Sequence, residues 1–134
     1  MSEVDPRIAE RIRGPAWAEI RESFVDLCER VLNVAPKSRA ELTTIYVKFV
    51  ISHEPMAPVY AVAWLKTAKN VVIGFALPEA VIDGALTEAP AGMMYKGLTK
   101  YFRLSPGVPL PPSISEWARL AFDEVNNASA SDKP

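Results

Sequence analysis

Residues 59–65 (VYAVAWL) are apolar at every position, so an extended strand formed there would be apolar on both faces. A strand of this kind is typical of the middle of a sheet, since at an exposed edge it would be prone to aggregate. We therefore predict that another strand flanks it on each side. Residues 71–77 follow after a short, mostly polar connection, which predicts that the two segments form an antiparallel hairpin.

Two further segments have strand patterns. Apolar and polar side chains alternate along residues 43–52, which indicates a strand with one buried face. Residues 98–104 have the length and the aromatic content of a fourth strand. Before that strand, Pro78 and Gly84 suit the start and the end of a short helix over residues 78–84.

Two stretches repeat apolar residues at intervals of three and four, which is the core stripe of an α-helix. The first begins at Pro15, which suits a first helical turn, and ends near Asn33. Its stripe consists of Trp17, Ile20, Phe24, Leu27, Cys28 and Val31. The second begins at Ser113, whose spacing from Glu116 matches a capping box. Its stripe consists of Ile114, Trp117, Ala118, Ala121 and Val125.

Together these elements predict an α+β fold. We expect an antiparallel sheet of about four strands with an N-terminal and a C-terminal helix packed on one face. The 134 residues suit one domain with a single core. We assign residues 1–14 to an N-terminal arm, residues 15–127 to the domain, and residues 128–134 to a disordered tail.

Charge and cysteine content narrow the classes of function. With 15 basic and 16 acidic residues the net charge is −1, which gives no general attraction to nucleic acid or to an anionic membrane. The N-terminus lacks the pattern of a secretory signal, and no stretch approaches the roughly 18 apolar residues of a membrane span, so we predict a cytoplasmic protein. The single cysteine excludes an intramolecular disulfide and multi-cysteine zinc sites. We expect a small molecule or a protein as partner, and a monomer or a homodimer.

Three segments occur in an order that resembles a known family. Residues 59–64 (VYAVAW) lead into residues 71–75 (VVIGF), and residues 78–80 (PEA) follow. The third segment runs from residues 95–97 (YKG) through residues 102–104 (FRL) to residues 109–111 (PLP). Over residues 15–127 the chain resembles the YdhG-like family of small bacterial domains, although the stretch between Lys96 and Pro109 is longer than in the family pattern. The resemblance implies the α+β fold and points to no active site.

The same resemblance implies an alternative function with iron as the cargo, because some members of the YdhG-like family are interpreted as frataxin-like iron chaperones. Hard metal ions favour oxygen ligands, and the first helix places four carboxylates on its exposed side. They belong to Glu19, Glu22, Asp26 and Glu29. The pattern favours a solvated helix face over a metal site. On such a face Asp26 and Arg30 would pair at a spacing of four.

Neither of the usual catalytic side chains has the setting that catalysis requires. Cys28 lies in the core stripe of the first helix, where a free thiol behaves as a small apolar residue. His53 is the only histidine, which excludes a two-histidine metal site, and its place where a strand runs into a loop predicts an exposed side chain. We therefore assign no catalytic residue, and no cofactor apart from iron under the alternative hypothesis.

Basic and aromatic residues are densest around residues 95–103, and a similar pair precedes them in the predicted first strand. Such a surface can bind phosphate groups or stack bases. Tyr101 and Phe102 point to opposite sides of a strand, so at least one of them is expected in the core, and a structural role is favoured over nucleic-acid recognition. The candidate ligand surface comprises Tyr46, Lys48, Lys96, Lys100 and Arg103.

Three hypotheses of function follow. The leading one is a non-enzymatic binding or interaction protein of the YdhG-like type. The first alternative is an intracellular iron-binding chaperone that uses the acidic helix face. The second alternative is an enzyme whose site is assembled from residues distant in sequence, such as a carboxylate and a lysine that meet in a pocket.

Overall fold

The strands of the sheet follow one another in sequence order, and the two long helices lie on one side of the sheet. The computed structural model describes residues 3–4, 6–35, 37–52 and 57–131, with side chains up to residue 127. The strands are β1 (Glu3–Val4), β2 (Arg39–Leu42), β3 (Tyr46–Val50), β4 (Val59–Thr67), β5 (Asn70–Phe75) and β6 (Lys100–Leu104). The helices are α1 (Arg7–Arg11), α2 (Ala18–Asn33), which a 3₁₀ turn (Pro15–Trp17) precedes, and α3 (Ser113–Ser131).

The sheet consists of five antiparallel strands, β2 to β6, to which β1 adds two residues parallel to β2. The predicted α+β fold with an antiparallel sheet is therefore confirmed. So is the prediction that β4 has a strand on each side, because β3 and β5 flank it. The predicted count of four strands was one too low, because β2 has only four residues, too few for an alternating pattern to be recognised.

The strand predicted over residues 43–52 is shorter than expected at its start. Thr43 turns the chain between β2 and β3, since its backbone N–H and its hydroxyl both donate to the Tyr46 carbonyl oxygen, at 2.8 and 3.0 Å. Ile45 remains 41% exposed as a result, although the alternation placed it on the buried face. A threonine that bonds to a nearby backbone carbonyl offers the chain an alternative to the strand ladder.

The main core lies between the helices and the sheet. All six residues of the predicted α2 stripe are buried, as are Ile114, Trp117, Ala118 and Ala121 of α3. Trp117 packs against Phe75 and Phe102, with ring centroids 6.2 and 5.7 Å apart. Both predicted helix stripes are thus confirmed as the faces that pack on the sheet.

Tyr60 links the sheet to both helices. Its hydroxyl donates to the Val31 carbonyl oxygen of α2 at 3.1 Å, and its ring meets the edge of Phe122 of α3 at 5.4 Å. Burial raises the pKa of this phenol well above its ordinary value. The side chain therefore stays neutral and acts as a fixed hydrogen-bond donor inside the core.

A second, smaller core covers part of the opposite side of the sheet. It contains Val62, Trp64, Val72 and Tyr101 from the strands, together with Met93 from the connection between β5 and β6. That connection is held to β6 by an isolated bridge, in which Thr87 and Tyr101 exchange backbone hydrogen bonds of 2.7 and 2.9 Å. The connection between β5 and β6, rather than a helix, therefore covers part of this side of the sheet.

The short helix predicted over residues 78–84 was wrong. The chain forms turns there, with one hydrogen bond from the Val81 N–H to the Pro78 carbonyl oxygen. The Asp83 carboxylate accepts the Ala85 N–H at 2.9 Å, a local bond that competes with helix formation. Val81 packs against the main core, whereas Ile82 is 88% exposed, so these two apolar residues do not form one buried helix face.

Residues 7–14, within the segment assigned to an N-terminal arm, pack onto the domain. Ile8 and Ile12 are buried in the main core. Arg11 donates to the Leu65 carbonyl oxygen at 2.6 Å, and its guanidinium lies 5.1 Å from the ring centre of Trp17. Arg21 of α2 donates to three carbonyl oxygens of residues 12–14, each at 2.8 Å. These contacts fix the chain that leads into α2.

We predict that Gly74→Ala destabilises the domain by about 1–3 kcal/mol, because it overpacks a filled core. A Cβ at this position would lie 2.6 Å from the Tyr101 ring and 3.0 Å from Leu98. The matched control is Gly84→Ala, where no atom lies within 4 Å of the new methyl group. Urea denaturation of both variants measures the difference. Equal midpoints would show that the Tyr101 ring can move away without cost.

Candidate functional site

The side of the sheet opposite α2 and α3 carries the polar side chains of three strands, and we call it the open face. The pleat places Tyr46 across from Trp64, and Lys48 across from Val62. On the other side of the sheet centre, Arg103 lies across from Val72. Because side chains alternate along each strand, residues two apart share this face. Tyr46, Lys48 and Arg103 of the predicted ligand surface are therefore on one face.

Four aromatic rings form a row across the open face. Tyr95 meets Tyr46 edge to face at 5.9 Å, Tyr46 meets Trp64 at 5.9 Å, and Trp64 meets Tyr101 at 5.8 Å. Trp64 and Tyr101 are buried, whereas Tyr46 and Tyr95 are half-buried. The exposed end of the row therefore presents two phenol rings to solvent beside a rigid, packed base.

The connection between β5 and β6 is tied to this row. The Tyr95 backbone N–H donates to the Tyr101 hydroxyl at 3.4 Å. Burial raises the pKa of both phenols above the ordinary value, and the nearby Tyr46 adds to the effect at Tyr95. Both rings are thus neutral at physiological pH, and the half-buried Tyr95 presents a hydroxyl group rather than a negative charge to solvent.

Four basic residues lie on the open face or in the connection that covers part of it. Lys48 is half-buried, while Lys66, Lys96 and Arg103 are exposed. Arg103 donates to the side-chain oxygen of Asn70. None of these four cations forms an ion pair with a carboxylate in the part of the chain that the structure describes.

The carboxylate nearest to these cations in the sheet register is already engaged. Glu41 lies across from Lys48, and it pairs with Arg39 at 3.0 Å on its own strand. Glu41 and Arg39 therefore neutralise each other. Glu41 therefore does not offset the positive charge of Lys48.

Lys100 does not join the others. It lies across from Phe75, which belongs to the core under the helices, so Lys100 is on the helix side of the sheet. Its inclusion in the predicted ligand surface was wrong, because Lys100 and Arg103 are three residues apart and an odd spacing places them on opposite faces. Lys96 lies outside the strands, in the turn that follows the half-buried Tyr95.

Lys66 was missed by the sequence analysis. Its ammonium nitrogen lies 2.7 Å from the position that a Cβ on Gly92 would take, and Gly92 precedes Met93 of the second core. Lys66 is therefore on the open face. Its spacing of two from Trp64 was the signal that could have placed it there.

The carboxylates of α2 lie where the helical spacing predicts. Glu19, Glu22 and Glu29 are exposed, and Asp26 pairs with Arg30 at 3.1 Å, which confirms that ion pair. Within the described ranges, no three His, Cys, Asp or Glu residues are grouped so that they could hold a metal ion. Instead, the carboxylates line a groove between α2 and residues 107–110.

Cys28 is a buried side chain of α2, with 2% of its surface exposed. Burial raises the pKa of its thiol far above the ordinary value, and the charge of Glu29 adds to the shift. The thiol is therefore protonated and unreactive. His53 lies outside the described residues.

Comparisons with protein-family models, with curated proteins and with solved structures find no match to this chain. The resemblance to the YdhG-like family therefore stays a prediction from its three segments. Among the residues that the structure describes, none of the helices is long and apolar enough to span a membrane.

The buried Cys28 thiol predicts a specific pH dependence of stability. The unfolded chain releases this proton above a pH of about 8.5, whereas the native thiol keeps it. The unfolded state then binds fewer protons, so the free energy of unfolding falls as pH rises. We expect Cys28→Ala to remove about 1 kcal/mol of the decrease between pH 9 and pH 10.

Urea denaturation of the native chain and of Cys28→Ala at both pH values provides this measurement. The substitution also leaves a cavity, but the cavity lowers stability equally at both pH values and cancels in the difference. Parallel pH dependences for the two proteins would mean that the thiol ionises in the native state.

Proposed function

We propose that the chain is a non-enzymatic binding protein of the YdhG-like type, and that its open face binds a small anionic ligand with a planar group. The observation that supports this function is a set of cations on the open face and in the connection over it, on the same side of the sheet as an aromatic row, with no carboxylate partner among the described residues. We further propose that the protein acts in the cytoplasm as a monomer or a homodimer.

The anionic character of the ligand follows from the charges. In the described ranges of the chain, Lys48, Lys66, Lys96 and Arg103 are four cations without a carboxylate partner, although the whole chain has a net charge of −1. Hydrogen bonds between a cation and an oxyanion are shorter and stronger than those between neutral groups. An anion on this face gains such bonds without breaking an ion pair of the protein.

The planar group follows from the rings. Tyr46 and Tyr95 are held at 5.9 Å by an edge-to-face contact, and Trp64 supports Tyr46 from the other side. Because packing already restricts these rings, a flat ligand can stack on them with little loss of side-chain entropy. A stacking contact of this type contributes about 1–3 kcal/mol.

Adenosine monophosphate and inorganic phosphate are suitable first probes, because they share the anion and differ in the planar group. We expect backbone NMR signals near Tyr46, Lys48, Lys66 and Arg103 to shift with both probes, and adenosine monophosphate to bind more tightly. Lys48→Gln and Arg103→Gln should each weaken binding about fivefold. The matched control is Lys100→Gln, on the same strand as Arg103 but on the other face.

A loss of affinity in Lys100→Gln equal to that in Arg103→Gln would contradict the open-face site, because only general charge would then matter. Equal affinity for the two probes would remove the stacking role of Tyr46 and Tyr95. Signal shifts confined to α2 or α3 would place binding on the other side of the molecule.

An iron-binding chaperone is the second candidate, and the exposure of Glu19, Glu22 and Glu29 on one side of α2 is the observation that favours it. Titration with ferrous iron under anaerobic conditions, with magnesium as the control, tests it. Selective broadening of α2 signals by iron would support this function. Unchanged α2 signals would remove it.

A further inference from the structure

The groove between α2 and residues 107–110 is a second surface, remote from the open face. It is open to solvent and encloses about 870 Å³. Two contacts hold its walls together: the Gly107 N–H donates to the Glu19 carbonyl oxygen at 3.4 Å, and Arg30 donates to the Pro111 carbonyl oxygen at 3.3 Å. Leu110 anchors the second wall, since it is buried beneath the groove. The shape is thus built into the fold.

The helical wall is acidic, and its cations are already engaged. Arg21 donates to the carbonyl oxygens of residues 12–14, and Arg30 pairs with Asp26. Glu19, Glu22 and Glu29 form no ion pair in the part of the chain that the structure describes. Four carboxylates and two guanidinium groups line this wall, so its net charge is negative, and three of the carboxylates have no paired cation among the described residues.

Apolar groups also line the groove. Val108 is 54% exposed on the loop wall, and Val25 is 43% exposed on the helix. Large apolar side chains this exposed are few among the described residues, and these two share one groove. Apolar surface beside carboxylates suits a ligand that has both positive charge and apolar groups.

The dimensions favour an extended peptide. The distance along α2 from Glu19 to Glu29 is about 15 Å, at 1.5 Å per residue. An extended chain of five residues covers about the same length, and its side chains alternate between two sides. One side would face the carboxylates of α2 while the other faces Val108 and Leu110.

We propose that this groove docks a short extended segment of a partner protein, in which basic and apolar residues alternate. Its lysine or arginine side chains pair with Glu19, Glu22 and Glu29 of α2, and its apolar side chains cover Val108 and Leu110 on the loop wall. A bare metal ion fits less well, because it would leave the apolar wall exposed and the carboxylates do not form a metal-binding group. This docking site does not depend on the open face.

The test compares two capped pentapeptides of identical composition and charge, Lys-Leu-Lys-Leu-Lys and Lys-Lys-Lys-Leu-Leu, titrated into the full chain and followed by NMR. We expect the alternating peptide to bind several-fold more tightly and to shift signals of residues 19–30 and 107–110. Equal affinities would overturn the proposal, as would shifts elsewhere, no binding, or equal binding of spermine, which carries charge without apolar side chains.

Two sets of variants test the charges. The triple variant Glu19→Gln, Glu22→Gln and Glu29→Gln should weaken binding of the alternating peptide at least about tenfold. The matched control replaces three exposed carboxylates outside the groove, those of Glu79, Glu116 and Glu124, by glutamine. An equal loss in both triples would reduce the interaction to general charge attraction and overturn the proposal.

Val108→Ser tests the apolar wall, with Ile82→Ser as the control because Ile82 is also exposed and lies outside the groove. We expect only Val108→Ser to weaken the alternating peptide and to bring its affinity close to that of the Lys-Lys-Lys-Leu-Leu isomer. An unchanged preference for the alternating peptide in this variant would show that the loop wall plays no part.

Discussion

The burial of β4 on both faces is the constraint on which the rest of the structure depends. Ala61, Ala63 and Leu65 belong to the core under the helices, and Val62 and Trp64 belong to the core on the other side. β3 and β5 satisfy the backbone hydrogen bonds along both edges of the strand. Each face then needs a cover, because exposed apolar surface and unpaired backbone groups are both costly.

The two covers differ in how much of the sheet they shield from solvent. On one side, α3 packs on β4, and the small side chains of Ala61, Ala118 and Ala121 are fully buried where helix and sheet meet. On the other side, the connection between β5 and β6 covers Trp64 and Tyr101, and Tyr46 remains half-buried. Part of the open face therefore stays in contact with solvent, because a loop rather than a helix covers it.

Patterns of local sequence predicted the elements whose burial is regular. The stripes of α2 and α3 and the central position of β4 were evident because each follows one period over many residues. Turns were harder to predict. The hydrogen bonds of Thr43 make β3 start later than expected, and the bond of Asp83 accompanies turns where a short helix was predicted over residues 78–84. Strand alternation alone would have placed Lys100 and Arg103 on opposite faces of the sheet and would have added Lys66 to the predicted ligand surface.

Other features required tertiary contacts. The groove joins Glu19 to Gly107, which are 88 positions apart in the sequence, and no local pattern relates the two. In the same way, the packing of Tyr95 against Tyr46 depends on the path of the chain between β5 and β6. The charge and the exposure of single residues could be predicted from the sequence. The contacts between residues that are distant in the sequence could not.

The sequential order of the strands also determines how the fold can assemble during synthesis. β2 to β6 pair with neighbours in the chain, so each hairpin can close as soon as its second strand leaves the ribosome. α3 is made after all of them, so the rings of Phe75 and Tyr60 lack their contacts with Trp117 and Phe122 until it is complete. A nascent chain paused before residue 113 would therefore present a paired sheet with an uncovered aromatic surface, the type of surface that chaperones bind.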